Sequence, residues 1–415
     1  MNITLHPRTY AGIVKVPASK SYLQRAIAVA ALAKGTSTIE GYTESKDALA
    51  ALRIIQALGA TYTLTNDTLT VQGIERFNMD IYLQCGEAGL SARMFSPIAG
   101  LSGQKVVVSG EGSLLLRPMH MIEDALTQCG LSVTSQDGKL PLTISGKIQP
   151  SELTVDGSES SQLLTGLLIA LSAVDGTSTI HVHRLKSVPY INMTLDLMKQ
   201  LGLHVQHDAH RDFTIHGTGE IKAFDYVVEG DWSGAAFHVV AAAIAGQVRL
   251  TNINVHSAQA DLAILEIIQQ CGAEVHLEEQ DILIKKKGLN AFEVDITDCP
   301  DLFPILAVLA VCCQGTSKIT GIHRLKSKES DRLTCMQEEF ATLGITTKVV
   351  NDTIFIAGQE IKGGKVKAHN DHRIAMALAV LALRSNEPIE IEGIEAADKS
   401  YPQFFNDYLQ LINKN

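Results

Sequence analysis

The chain has 415 residues, 46% of them hydrophobic and 19% charged, with a formal net charge of −10. That length exceeds what one hydrophobic core ordinarily serves and points to two domains. The acidic balance disfavours a nucleic-acid groove, whose phosphate contacts need a basic field. The longest apolar stretches, 303–313 and 374–383, are too short to span a bilayer and read as buried helices. The opening segment Met1-Asn2-Ile3-Thr4-Leu5-His6-Pro7-Arg8 has neither a basic stretch leading into an apolar core nor an Arg- and Ser-rich transit character, so the cytoplasm is the expected compartment. Cys85, Cys129, Cys271, Cys299, Cys312, Cys313 and Cys335 form no C-x-x-C pair, which argues against a disulfide framework or a zinc site. Most lie in apolar runs and read as small buried hydrophobes.

Along the chain, Ile3-Thr4-Leu5 and Gly12-Ile13-Val14-Lys15-Val16 flank a turn between Pro7 and Tyr10 and are expected to pair as a hairpin. An apolar helix containing Ile27-Ala28-Val29-Ala30-Ala31-Leu32 follows, then a strand after Gly35, a second helix closed by Gly59, and a hairpin from Thr61 to Val71. The same order recurs at about 70-residue intervals, the mark of a repeat architecture. Gly59, Gly130, Gly202, Gly272 and Gly344 each close the second helix of a copy, and segments beginning at Gly35, Gly103, Gly176, Gly246, Gly315 and Asn386 open six matching strands. Later hairpins run from Ser132 to Ile144, His204 to Ile215, Glu274 to Ile284 (with a polar turn around Gln280) and Thr346 to Ile356. The sixth hairpin is missing, because the sequence continues into a helix from Phe404 to Ile412; the N-terminal hairpin is expected to replace it.

The fold class that follows is α/β: a two-domain pseudo-six-fold repeat, three units per domain, with parallel, partly buried helices. Residues 19–231 form an inserted domain of repeats one to three, and 1–18 plus 232–415 a discontinuous domain of repeats four to six. Linkers are expected near Pro17-Ala18 and Gly230-Asp231.

Helix starts carry the chemistry. First helices open at Lys20-Ser21, Glu87-Ala88-Gly89, Ser160-Ser161-Gln162, Asp231, Asp301 and Asp371-His372-Arg373. Second helices open at Ser45-Lys46-Asp47, Arg117-Pro118, Ser187-Val188-Pro189-Tyr190, Gln259-Ala260-Asp261, Lys328-Glu329-Ser330-Asp331-Arg332 and Lys399-Ser400-Tyr401. Free N–H groups and the helix dipole make such ends anion sites. If the domains face each other, these ends line a cleft together with Lys20, Arg25, Arg93, Arg117, Lys328, Arg332, Arg373 and Lys399. For Ser45, Asp47 and Asp231, ordinary N-capping, worth about 1 kcal/mol, is sufficient explanation. A cation at a helix start opposes the dipole and makes sense when an anion arrives. Taken alone, Glu329 and Asp331 read as salt-bridge partners, and His204, His207 and His210 as solvated residues of a hairpin.

The segments Pro17-Ala18-Ser19-Lys20-Ser21, Ser113-Leu114-Leu115-Leu116-Arg117-Pro118-Met119, Asp156-Gly157-Ser158-Glu159-Ser160-Ser161-Gln162, Lys186-Ser187-Val188-Pro189-Tyr190, Glu229-Gly230-Asp231, Lys328-Glu329-Ser330-Asp331-Arg332 and Asn370-Asp371-His372-Arg373 resemble those of the 5-enolpyruvylshikimate-3-phosphate synthase family, in order across all six repeats. The resemblance implies the enolpyruvyl transferase fold of βαβαββ units. It also implies transfer of a carboxyvinyl group from phosphoenolpyruvate to the 5-hydroxyl of shikimate 3-phosphate, with release of phosphate, in chorismate and aromatic amino acid biosynthesis. On the matching positions, shikimate 3-phosphate would be held by Lys20, Ser21, Arg25, Ser160, Ser161, Gln162, Ser187, Tyr190, Asp301 and Lys328. Phosphoenolpyruvate would be held by Lys20, Gly89, Arg117, Gln162, Arg332, Arg373 and Lys399. Asp301 would accept the hydroxyl proton, and Glu329, assisted by Lys20, would protonate the methylene carbon. The inserted domain would lie mainly on the shikimate 3-phosphate side and the discontinuous one would close over phosphoenolpyruvate. No cofactor or metal, no nucleic acid and no membrane is implied, and a monomer is expected.

Glu87, Leu90, Gln24, Leu115, Leu116 and Arg324 depart from the family's usual residues. A carboxylate at Glu87 beside a phosphoenolpyruvate site is unfavourable unless Arg93 or Lys20 neutralises it. The sister transferase acting on UDP-N-acetylglucosamine is a rival reading, but it would have a cysteine five residues before the arginine of the Arg-Pro pair, where this chain has Gly112. A clamp-like ring of six α/β units that binds without catalysis is a rival of another class, disfavoured by the acidic total.

Overall fold

The structure is a computed structural model and describes residues 1–278, 281–326 and 328–412. The turn expected around Gln280 lies outside the described residues. The chain divides into two compact units, Met1–Ser19 with Glu229–Asn415, and Lys20–Val228. Ser19 and residues 229–231 fall in the discontinuous unit because backbone bonds tie them together. Ser19 N donates to Glu229 O at 2.7 Å, and Asp231 N donates to Pro17 O at 2.8 Å.

In unit Lys20–Val228 each four-stranded sheet has a parallel edge strand, a central strand and an antiparallel hairpin. Ile81–Gln84 runs beside Val106–Ser109, which pairs with Lys139–Ser145 and then Ser132–Gln136. Glu152–Asp156, Gly176–His183, Asp212–Gly217 and Val205–Asp208 repeat that order. In the first repeat the edge strand comes from far along the chain: Asp225–Val227 lies parallel to Thr36–Glu40, with Thr68–Gln72 and Thr61–Thr65 completing the sheet. Alternation sets which face is covered, since Ser37 and Ile39 of the central strand, and Leu69 and Val71 opposite, are buried between exposed or half-exposed neighbours.

The discontinuous unit follows the same plan, and here the expected N-terminal hairpin does not form. Asn2–Leu5 pairs antiparallel with Ile389–Glu392, while Tyr10–Lys15 pairs parallel with Gly246–Thr251. Two strand edges were open to the N-terminal segment, one in the sixth repeat, which has no hairpin of its own, and one in the fourth, whose edge strand does not immediately precede its helix. Each N-terminal strand therefore satisfies its backbone groups on a different sheet. The chain start is held there by an ion pair of the Met1 amino group with Glu395 at 2.6 Å.

Helices Trp232–Ala245, Phe303–Cys312 and His372–Ala382 pack against one another, and the second, Phe-Pro-Ile-Leu-Ala-Val-Leu-Ala-Val-Cys, has no polar side chain to turn toward water. In the other unit, Gly89–Ala99 and Gln162–Ser172 approach so closely that a Cβ on Gly166 would stand 2.3 Å from the Met94 carbonyl oxygen. The recurring glycines at positions 59, 130, 202, 272 and 344 have φ of 120, 84, 77, 97 and 78°, the left-handed region that ends a helix at low cost only for glycine. The repeat signal in the sequence is thus a repeated backbone requirement.

Candidate active site

In unit Lys20–Val228, Lys20 is the first residue of helix Lys20–Leu32 and its Nζ lies 3.0 Å from the Asp47 carboxylate. Asp47 thus holds a lysine, while the cap of its helix is Ser45, which accepts from Ala48 N at 3.2 Å. Arg25, one turn on from Ser21 and fully buried, donates to Thr194 Oγ1 at 2.9 Å and to the carbonyl oxygens of Ser21 and Tyr190 at 2.8 and 3.1 Å. Burial lowers its pKa to about 10, so it stays protonated at neutral pH. These bonds fix the guanidinium beside Tyr190, whose helix is entered through Ser187 at φ 57°. Lys186 N donates to Gly157 O at 3.2 Å, tying the loop that bears Ser187 to the loop that leads to Ser160, Ser161 and Gln162.

Gly89, Arg93, Arg117 and Gln162 converge. Arg93 donates to Gln162 Oε1 at 2.9 Å and to Pro118 O at 3.1 Å. A Cβ on Gly89 would meet Arg117 Nη1 at 2.5 Å, so only glycine lets that guanidinium approach the helix start. Glu87 is turned onto the neighbouring turn, where its Oε1 accepts the Ser113 N–H at 3.2 Å and occupies the space a side chain on Gly112 would need.

In the discontinuous unit Arg332 is the hub. Its side chain is 1% exposed and it donates through Nη1 to Asp301 at 2.7 Å, through Nη2 to Glu329 at 2.6 Å, and through Nε to Asp371 at 2.8 Å. Asp371 also caps helix His372–Ala382, accepting from Arg373 N at 2.9 Å, and accepts from Ser330 Oγ at 3.0 Å. Arg373 Nη2 reaches Asp301 at 3.0 Å, Lys328 Nζ lies 3.3 Å from the same carboxylate, and Lys399 Nζ is 4.0 Å from Glu329. Arg332 and Arg373 both stand at positive helix ends, a penalty of about 0.3–1 kcal/mol. Losing a partner from a buried pair costs about 3–5 kcal/mol, so the carboxylates decide the geometry.

Burial by itself raises the Asp301 pKa, but Arg373, Lys328 and Arg332 outweigh it and hold the carboxyl well below its usual range. For Arg332 burial works against the charge, and Asp371, Glu329 and Asp301 push its pKa well above the ordinary value. Lys328 is lowered, chiefly by burial and by the charge of Arg332, with Asp301 opposing. Residues that the sequence reading left out of the site also belong to it. Asp371 was legible only as a helix start and Asp47 only as a cap, and Asp261, behind Arg373, stood in an ordinary helix-opening segment. Asp231 caps its helix as expected, accepting from Gly234 N at 3.0 Å, whereas Asp331, read alone as a salt-bridge partner, caps helix Arg332–Thr342 by accepting from Thr334 N at 3.2 Å. His210, read as solvated, is half-buried and bonds Asn192 Oδ1 at 2.6 Å.

Repeated α/β units that bring arginines and lysines to helix starts, with carboxylates paired to them, define the site of an enzyme that handles small anionic substrates. The chain belongs to the EPSP synthase family, described as 3-phosphoshikimate 1-carboxyvinyltransferase, whose sequence model matches residues 6–408. It is 37% identical to the 3-phosphoshikimate 1-carboxyvinyltransferase of Clostridium acetobutylicum, over 99% of this chain and 97% of the relative. It is 36% identical to the one from Clostridium novyi, over 98% and 96%. Among solved structures, EPSP synthase from Acinetobacter baumannii superposes with a TM-score of 0.84 at 27% identity, covering 99% of this chain and 98% of that one. Among the described residues no helix is long and apolar enough to cross a membrane.

Proposed function

We propose that the chain transfers the carboxyvinyl group of phosphoenolpyruvate to the 5-hydroxyl of shikimate 3-phosphate, releasing phosphate, as a cytoplasmic monomer in aromatic amino acid biosynthesis. Family membership over nearly the whole length supports the reaction. The residue roles are those the family resemblance implies for these positions, and the charges around Asp301 support the part given to that acid. Lys20, Ser21, Arg25, Ser160, Ser161, Gln162, Ser187 and Tyr190 supply most of the shikimate 3-phosphate contacts, joined by Asp301 and Lys328. Lys20, Gly89, Arg117, Gln162, Arg332, Arg373 and Lys399 take phosphoenolpyruvate.

One carboxylate facing Arg332, Arg373 and Lys328 is a weak base while all three cations bear on it. Arriving phosphate and carboxylate groups draw Arg373 and Lys328 toward themselves, and the basicity of Asp301 rises as its partners are shared. It then accepts the proton of the 5-hydroxyl as the oxygen attacks C2 of phosphoenolpyruvate. Glu329, aided by Lys20, delivers a proton to the methylene carbon, giving a tetrahedral phosphorylated intermediate. Reversal of the carbon protonation expels phosphate and forms the vinyl ether. A positioned acid and base contribute on the order of 10² to 10⁴ each.

The arrangement of three cations on one carboxylate carries this reading. The deciding experiment follows phosphate release from phosphoenolpyruvate with and without shikimate 3-phosphate. Release that requires both substrates is expected; release indifferent to shikimate 3-phosphate, or none at all, overturns the assignment.

A further inference from the structure

The mechanism gives no role to Asp261, an acid of this cluster. Asp261 lies in the 3-10 turn Ala260–Leu262 with 1% of its surface exposed. Its Oδ2 accepts a short hydrogen bond from Ser233 Oγ and stands 3.9 Å from Arg373 Nη1, while Oδ1 has no hydrogen-bond partner among the described residues. A buried ionised carboxylate ordinarily fills its lone pairs, so a carboxyl left half-satisfied is the form that tolerates a proton. The guanidinium of Arg373 is bracketed by Asp301 at 3.0 Å on Nη2 and by Asp261 on Nη1.

We propose that Asp261 is a positioning residue that governs how much of the Arg373 charge is available to phosphoenolpyruvate: protonated, it leaves Arg373 to the substrate anion and Asp301, and ionised, it competes for the guanidinium. The proposal rests on the reading of Arg373 as a phosphoenolpyruvate ligand. Charged and titratable groups face Asp261 from each packed element: Asp231 at the start of helix Trp232–Ala245 along with the Ser233 hydroxyl, Asp301 and Cys299 from the segment before Phe303–Cys312, and Arg373 from helix His372–Ala382. Burial dominates, with Asp301 and Asp231 adding to it and Arg373 and Ser233 opposing, and together they raise the Asp261 pKa to about 7. The acid therefore carries its proton below that pH and loses it above. Among Asp261, Asp301, Glu329 and Asp371 against Arg332, Arg373, Lys328 and Lys399, four carboxyls face four cations. Protonation of Asp261 removes one negative charge from beside Arg373, which suits an incoming anion. Binding of that anion favours protonated Asp261, and the proton comes from solvent.

The test is the KM for phosphoenolpyruvate at saturating shikimate 3-phosphate, from about pH 6 to about pH 9, for the wild-type enzyme and for Asp261→Asn, Asp261→Glu and Ser233→Ala. Ionisation of the substrate itself is common to all four and cancels in ratios. The ratio of wild-type to Asp261→Asn KM is expected to climb on the order of 10-fold as pH rises through the titration, because the amide cannot ionise. Asp261→Glu keeps the climb. Ser233→Ala, which removes a bond that favours the ionised form, moves the climb to higher pH and keeps the proposal testable should the amide variant not fold. A ratio constant with pH, or a Ser233→Ala profile superimposed on wild type, overturns the role of Asp261. An Arg373→Gln variant separates the two readings: if it leaves the KM for phosphoenolpyruvate unchanged, the assignment of Arg373 itself falls.

Discussion

Asp301 concentrates the local argument, since its value to the reaction and its value to the fold are different quantities. Its carboxylate pairs with three buried or half-buried cations, yet only an ionisable oxygen can take a proton. Asp301→Asn keeps hydrogen-bond acceptance through its carbonyl and loses the base. Turnover is expected to drop by more than about 10²-fold while shikimate 3-phosphate affinity stays nearly intact. Steady-state kinetics with a direct binding titration checks this, and retained full turnover removes Asp301 from the chemistry. The partners that make this site were hard to read in the sequence because they lie far apart along it. Arg332 and Asp371 are separated by 39 residues, and Arg373 and Asp301 by 72. Each aspartate alone satisfies the ordinary description of a helix start, and nothing in a single segment tells a cap from a buried counter-ion.

Helices deliver these residues, and their packing sets where the deliveries arrive. Gln162–Ser172 can bring Gln162 to Arg93 only if its body lies against Gly89–Ala99, and the absence of a side chain at Gly166 permits that approach. Gly166→Ala improves helix propensity by up to about 1 kcal/mol but puts a methyl group 2.3 Å from a backbone oxygen. Backbone cannot rotate aside as a side chain can, so the clash wins. A net loss of about 1–3 kcal/mol in urea unfolding is expected. Unchanged stability would mean the two helices can separate without consequence. The apolar runs made these helices legible in the sequence, whereas the closeness of one pair was not, because Gly166 sits in a helix-forming run like any tolerated glycine.

One largely buried polar chain joins an N-terminal strand to the segment before the last helix. His238, fully buried, bonds the Tyr10 hydroxyl at 2.7 Å and the Tyr401 hydroxyl at 3.1 Å, and Tyr401 donates to Asp407 at 2.6 Å. This links the N-terminal strand Tyr10–Lys15 to the segment that carries Lys399. Burial lowers the His238 pKa from 6.5 to about 3, so the folded protein keeps the ring neutral while the unfolded chain takes up a proton below about pH 6.5. The depressed pKa means stability is present above that value and is lost as pH falls toward the folded pKa, at up to about 1.4 kcal/mol per pH unit from this group. Denaturant unfolding between about pH 7 and pH 4 should show that slope, and His238→Gln should remove it. An identical slope in the variant would place the acid sensitivity elsewhere.

By itself the sequence determined the six-fold repeat, because glycines at positive φ and apolar helical runs are local requirements that recur wherever the same backbone recurs. It also marked the helix starts that hold cations, since a lysine or arginine against a dipole is anomalous within its own segment. Only the tertiary structure decided that Asn2–Leu5 and Tyr10–Lys15 part to serve two sheets, for open strand edges belong to distant repeats. The tertiary structure likewise made Asp47, Asp261 and Asp371 partners of particular cations. Such pairings depend on distances between elements remote in the chain, which no local pattern encodes.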